Sequence, residues 1–155
     1  MLAFFSWSLA SEVFPTLNEE WGGTHRWAIG VLTTLLLFAS VLIHELAHSL
    51  VAKARGFPVG GITLFILGGV TNLRAEARRP RDEFLISVVG PATSLALAGL
   101  LLITYRAIGD SGTPLTPLGS VTTPLTSLEA VLLYLWFINF VLALFNLLPA
   151  FPMDG

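Results

Sequence analysis

The sequence predicts a mainly α-helical membrane protein. It has three full transmembrane helices, a partial one at the N-terminus, and a short β-hairpin or re-entrant segment near 57–73. Three observations carry this. Hydrophobic residues make up 54% of the 155-residue chain and charged residues only 12%, against about 25% charged in a soluble domain. Three apolar stretches are each long enough for the roughly 20 residues that cross a bilayer. Two glycine pairs bracket a β-branched and aromatic run too short to do so. One domain is the expectation at this length.

The elements follow in order. Met1–Ser11 is uncharged and apolar but too short for a span, and it lacks the basic start of a signal peptide. It reads as the second half of a span. Glu12–Arg26 is polar, contains Pro15, Gly22 and Gly23, and reads as a loop. Trp21 and Trp27 suit the membrane interface. Trp27–Ala52 is the first full span, with Glu45 its one formal charge; Lys53, Arg55 and Gly56 end it. In Phe57–Leu73, Gly60-Gly61 and Gly68-Gly69 flank Ile62-Thr63-Leu64-Phe65-Ile66-Leu67. This run suits either a buried loop or a strand whose edge pairs with an unwound substrate backbone. Ile62, Thr63, Leu64, Phe65, Gly68 and Gly69 are therefore candidate substrate-binding residues.

Arg74–Glu83 is charge-dense and reads as a solvated loop. Six of the basic residues (Lys53, Arg55, Arg74, Arg78, Arg79, Arg81) fall between the first two full spans, which places the 53–83 loop in the cytoplasm. Phe84–Tyr105 is the second full span, uncharged, with a kink expected at Gly90-Pro91. Gly109–Thr126 connects on the outer side. Ala130–Leu148 is the third full span, and Pro149 and Pro152 break the helix after it.

The chemistry centres on His44-Glu45-Leu46-Ala47-His48. Four residues are about one helical turn, so both imidazoles share a face and can hold one metal ion. Glu45 stands beside them, within reach of a water that the metal acidifies. Given this chain's His and Glu content, chance produces the pattern about 0.003 times. Ionisable residues in a membrane span are functional by default. The bland reading is a core helix with two hydrogen-bonded histidines. Net charge is −2, so no nucleic-acid partner is expected, and the lack of cysteine excludes a cysteine nucleophile or thiolate metal site.

Depth supports a shared site. At about 1.5 Å per residue, His48 and His44 lie roughly 8 and 14 Å inside the cytoplasmic boundary. Asn146, roughly 24 Å along the third span, arrives on the same side. Zinc needs a third protein ligand and keeps one position open. Asp154 is the only acid after Glu129 and is the candidate. Asn146 is either a helix-packing amide or a group that holds substrate or steadies the tetrahedral intermediate.

Two motifs together resemble the site-2 protease family of intramembrane zinc metalloproteases. They are His44-Glu45-x-x-His48 and Asn146-x-x-Pro149-x-x-Pro152-Met153-Asp154-Gly155. The Gly68-Gly69 region and Gly90-Pro91 look like further family features. The resemblance covers the chain from about Ser6 onward. It implies Zn2+ held by His44, His48 and Asp154, with Glu45 as general base and Asn146 as a substrate contact. It implies cleavage of a transmembrane protein substrate, in bacteria often an anti-sigma factor, in the cell membrane. The loop and hairpin pattern looks most like the branch whose members often carry a CBS-domain pair. Against that family the 155 residues read as a single transmembrane metalloprotease core truncated at both ends. Two other classes use the same histidines: a membrane metal-binding or transport protein, and a catalytically incomplete fragment.

Overall fold

The computed structural model describes residues 2–57, 59–65, 68–73, 80–109, 117 and 124–147. Helix α1 (Leu2–Ser8) passes through a widened π-turn (Leu9–Val13) into α2 (Phe14–Leu17). A long α3 (Gly23–Ala54) follows, then strands β1 (Val59–Phe65) and β2 (Gly68–Leu73), then α4 (Pro80–Ile108) and α5 (Ser127–Asn146). Helices α3, α4 and α5 are long and apolar enough to cross a membrane. The strands pair antiparallel, with Ile62 opposite Thr71 and Phe65 opposite Gly68, and the register slips between Val59 and Ile62. The mainly helical fold and the hairpin are those expected from the sequence.

The boundaries differ in four places, the first being that α3 begins at Gly23, four residues before the expected Trp27. Helix continues past Ser11 to Leu17, through residues expected as loop. Pro15 is tolerated because it falls in the first turn of α2, and the Phe14 N–H reaches back to the Leu9 carbonyl. Helix α4 begins at Pro80, so Arg81, Asp82 and Glu83 are helical rather than loop. Proline fits a first turn, and two acids there favour the positive end of the helix dipole. Helix α5 starts at Ser127. Thr126 accepts from the Glu129 N–H at 3.3 Å, and Glu129 Oε2 accepts from the Thr126 N–H at 2.8 Å. This reciprocal capping box satisfies two donors otherwise left open at a helix start.

Two compact units form. One comprises Met1–Phe38 with Leu97–Ile138, the other Ala39–Ala96 with Asn139–Gly155. In the first, Leu9, Phe14, Leu17, Ile29, Tyr105 and Leu133 build the buried core. The Leu125 N–H donates to the Leu17 carbonyl and the Asn18 amide to the Leu125 carbonyl, tying the end of α2 to the start of α5. Thr33 and Thr34 are fully buried, and each hydroxyl donates to the carbonyl four residues earlier. That back-bonding lets a hydroxyl sit where no water reaches. Ser6 Oγ lies 3.2 Å from Thr34 Oγ1, and a Cβ on Gly30 would stand 2.9 Å from the Ser6 carbonyl oxygen. Only a residue without a side chain permits that backbone approach.

Helix α3 reverses the pattern of a soluble helix. Leu32, Leu35, Leu36, Leu42, Ile43, Leu46 and Leu50 are exposed, while Thr33, Thr34, Ser40, His44, Glu45, His48 and Ser49 are buried. Apolar side chains outside and polar ones inside suit a hydrocarbon solvent. Gly30→Leu should lower the thermal midpoint of the detergent-solubilised protein well below that of Gly99→Leu, since a side chain at Gly99 meets nothing within 4 Å. Equal midpoints would contradict the close approach at Gly30.

Candidate metal centre

The second unit contains the candidate site. His44, Glu45 and His48 are 1%, 3% and 5% exposed, so the ionisable centre of α3 is removed from solvent. Helical spacing puts the imidazoles on one face. Their ring centroids are 4.9 Å apart and their Nε2 atoms approach to 3.2 Å.

Helix α4 seats the two rings. His48 Nδ1 lies 2.6 Å from the Ile86 carbonyl oxygen. A carbonyl only accepts, so Nδ1 carries the proton and donates, leaving the lone pair on Nε2. His44 Nδ1 lies 2.8 Å from Ser94 Oγ, and Ser94 is 1% exposed. Between these partners comes Gly90, where a Cβ would stand 2.6 Å from His44 Nε2 and would also strike His48 Nε2. Ile86, Gly90 and Ser94 are spaced four apart and form one stripe of α4. The middle position must be empty for both imidazoles to fit. Pro91 is buried beside it; it has no N–H to give the carbonyl four residues earlier, which loosens the helix at this level.

The donor set fits a metal ion. Zinc–imidazole bonds of about 2.0–2.1 Å in a tetrahedron require nitrogens about 3.3–3.4 Å apart. The observed 3.2 Å is within 0.2 Å of that edge length. Asn146, the last residue of α5, brings its side-chain amide nitrogen to 3.4 Å from His44 Nε2. Among the described residues no three His, Cys, Asp or Glu side chains gather at one point. Asp154, expected as third ligand, lies outside the described residues, as do Pro149 and Pro152.

Of the other expected site residues, Ile62, Thr63, Leu64 and Phe65 lie in β1, and Gly68 and Gly69 pair with Phe65 and Leu64 from β2. The structure brings His44, His48 and Asn146 near one another, and adds Ile86, Gly90 and Ser94, which the sequence reading did not single out as a set. That reading took Gly90-Pro91 only as a kink. The available signal was a small and a hydroxyl residue at four-residue spacing in an otherwise bulky apolar span.

These features define an integral membrane protein in which one long apolar helix carries two buried histidines with converging Nε2 atoms. The particular family follows from comparison: residues 32–155 match peptidase family M50, and the chain belongs to that family. A protein of Synechocystis sp. PCC 6803, sll0528, is 45% identical over 143 residues, 92% of this chain and 33% of its own length. Rip3 of Mycobacterium tuberculosis is 40% identical over 155 residues, 100% of this chain and 36% of its own length. The names of both mark them provisionally as zinc metalloproteases. Zinc metalloprotease MJ0392 of Methanocaldococcus jannaschii is 37% identical over 124 residues, 78% of this chain and 31% of its own length. The chain thus spans about a third of the length of these relatives. No solved structure matches it.

Gly90→Ala should weaken zinc binding at least tenfold, because the added methyl occupies the space of both Nε2 atoms. Competition against a chromophoric chelator measures this; wild-type affinity in Gly90→Ala would contradict the described seat.

Proposed function

We propose that this chain is the core of an intramembrane zinc metalloprotease that hydrolyses a peptide bond in or near a transmembrane segment of a membrane-protein substrate. The observation that carries the reading is the convergence of two buried imidazole Nε2 atoms at 3.2 Å within a membrane-spanning helix, beside a buried carboxylate. Membership of peptidase family M50 and the zinc metalloprotease names of its relatives support it.

In this reading His44, His48 and Asp154 hold the ion and leave one position open. Zinc bound there supplies a Lewis acid that polarises a carbonyl and lowers the pKa of water. Glu45, one residue from His44, takes the proton from the attacking water and returns it to the leaving amine. Asn146, near His44 Nε2, donates to a substrate carbonyl. A helical substrate hides its peptide groups in its own hydrogen bonds, so it must unwind to be cut. Among the described residues each strand of the two-stranded sheet has one edge outside the β1–β2 pairing, and the Ile62–Phe65 edge, paired on its other side with Gly68–Thr71, offers partners to an extended backbone.

The basic residues between the first two full spans support a cytoplasmic 53–83 segment. Two bacterial relatives more similar than the archaeal one support a bacterial membrane. An anti-sigma-factor-like substrate and the CBS-bearing branch are the finer assignments that the motif resemblance favours.

Glu45→Gln in the complete protein, reconstituted with a transmembrane substrate, should keep its zinc and lose at least about a hundredfold in cleavage rate. His44→Ala and His48→Ala should lose zinc as well. Cleavage by Glu45→Gln at the wild-type rate would overturn the role given to the carboxylate.

A further inference from the structure

Helix α4 meets α3 along one line that extends beyond the histidines. Asp82, Ile86, Gly90 and Ser94 recur every fourth residue, so they share a face of α4. Their partners on α3 follow in the opposite order: Arg55 with Asp82, His48 with Ile86, His44 with Ser94. At one end of this seam Arg55 Nη1 donates to Asp82 Oδ1 at 2.9 Å. Both charges suit their places. Arg55 directly follows the last residue of α3, where the helix dipole favours a cation, and Asp82 is in the first turn of α4, where it favours an anion. The Asp82 side chain is 18% exposed, so the pair is partly shielded from water.

The seat demands a fixed register between the two helices. A Cβ at Gly90 would strike both imidazoles, and the residues on either side of it, Val89 and Pro91, carry side chains. One residue is about 1.5 Å along a helix, so α4 must hold its axial position more closely than that. The bonds to Ile86 and Ser94 end on the imidazoles, whose rings can turn to follow a moving partner. The ion pair involves neither ring. It lies roughly 10 to 12 Å along the helices from the level of His48 and Gly90. We propose that Arg55 and Asp82 are positioning residues for the metal seat, their ion pair setting the register of α4 on α3 that puts Gly90 opposite the two imidazoles. The proposal rests on the reading of His44 and His48 as ligands of one ion.

A charge acting on the ion from a distance would behave differently. Loss of a cation would then tighten zinc binding, loss of an anion would weaken it, and the two changes would cancel together. A register device weakens binding when either partner is lost, and the second loss adds nothing. The test is zinc competition on the purified, complete protein in detergent. Arg55→Gln and Asp82→Asn should each raise the zinc dissociation constant about two- to fivefold, the range typical of a partly exposed ion pair. The double variant should be no weaker than either single one. Arg55→Lys, which keeps the charge, should stay within about twofold of wild type. Glu83→Gln removes the same charge as Asp82→Asn one residue further along α4, without touching the bond to Arg55, and should bind as wild type does. Wild-type or tighter binding by Arg55→Gln, or losses that multiply in the double variant, overturns the role of the pair alone. Failure of the wild type to bind zinc overturns both this proposal and the metalloprotease reading.

Discussion

Two imidazoles and a carboxylate are buried in the middle of an apolar helix, where water cannot share their hydrogen bonds. Leaving one buried polar group unpaired costs about 1–3 kcal/mol, and a charge costs more. The protein must therefore supply partners from its own chain. On His48 that partner is the Ile86 carbonyl and on His44 it is Ser94, both from α4. The pattern of α3 follows from the same constraint: hydroxyls and histidines turn inward, and leucines and isoleucines turn outward. What would be an inverted helix in water is the stable arrangement in a bilayer.

The same constraint limits where bulk is allowed. Each imidazole needs a partner on its Nδ1 side and room on its Nε2 side. Helix α4 meets both needs with one stripe, in which Ile86 supplies a carbonyl, Ser94 a hydroxyl and Gly90 space. In the other unit, Gly30 works in the same way, admitting the Ser6 carbonyl against α3. Glycine in a helix normally costs about 1 kcal/mol relative to alanine. Here packing contacts that alanine would block offset that cost. At the start of α4, Arg55 Nη1 meets Asp82 Oδ1 at 2.9 Å, bringing together the residues on either side of the β1–β2 segment.

Much of this was legible in the sequence. The spans announce themselves by length and by lack of charge. The His44–His48 spacing defines a face, because helical periodicity is rigid. The hairpin is visible because glycine pairs interrupt a β-branched run. Helix ends were harder to read. Glu12 and Pro15 suggest a loop, yet a π-turn absorbs the proline and Ser8 Oγ donates to Glu12 Oε2 at 3.1 Å. Thr126 and Glu129 form a capping box whose three-residue spacing stood in plain view, but apolarity alone set the expected boundary at Ala130. Gly90 and Ser94 were invisible as site residues for a different reason. Their importance lies in what approaches them from another helix, and spacing within one helix does not reveal its neighbour.

The central claim is that His44 and His48 bind one ion through paired Nε2 atoms. X-ray absorption at the zinc edge of the loaded, complete protein tests it most directly. The account predicts two imidazole rings, with nitrogen at about 2.0–2.1 Å, alongside oxygen ligands in a four-coordinate shell. A shell of oxygen atoms alone, with no imidazole scattering, would contradict it.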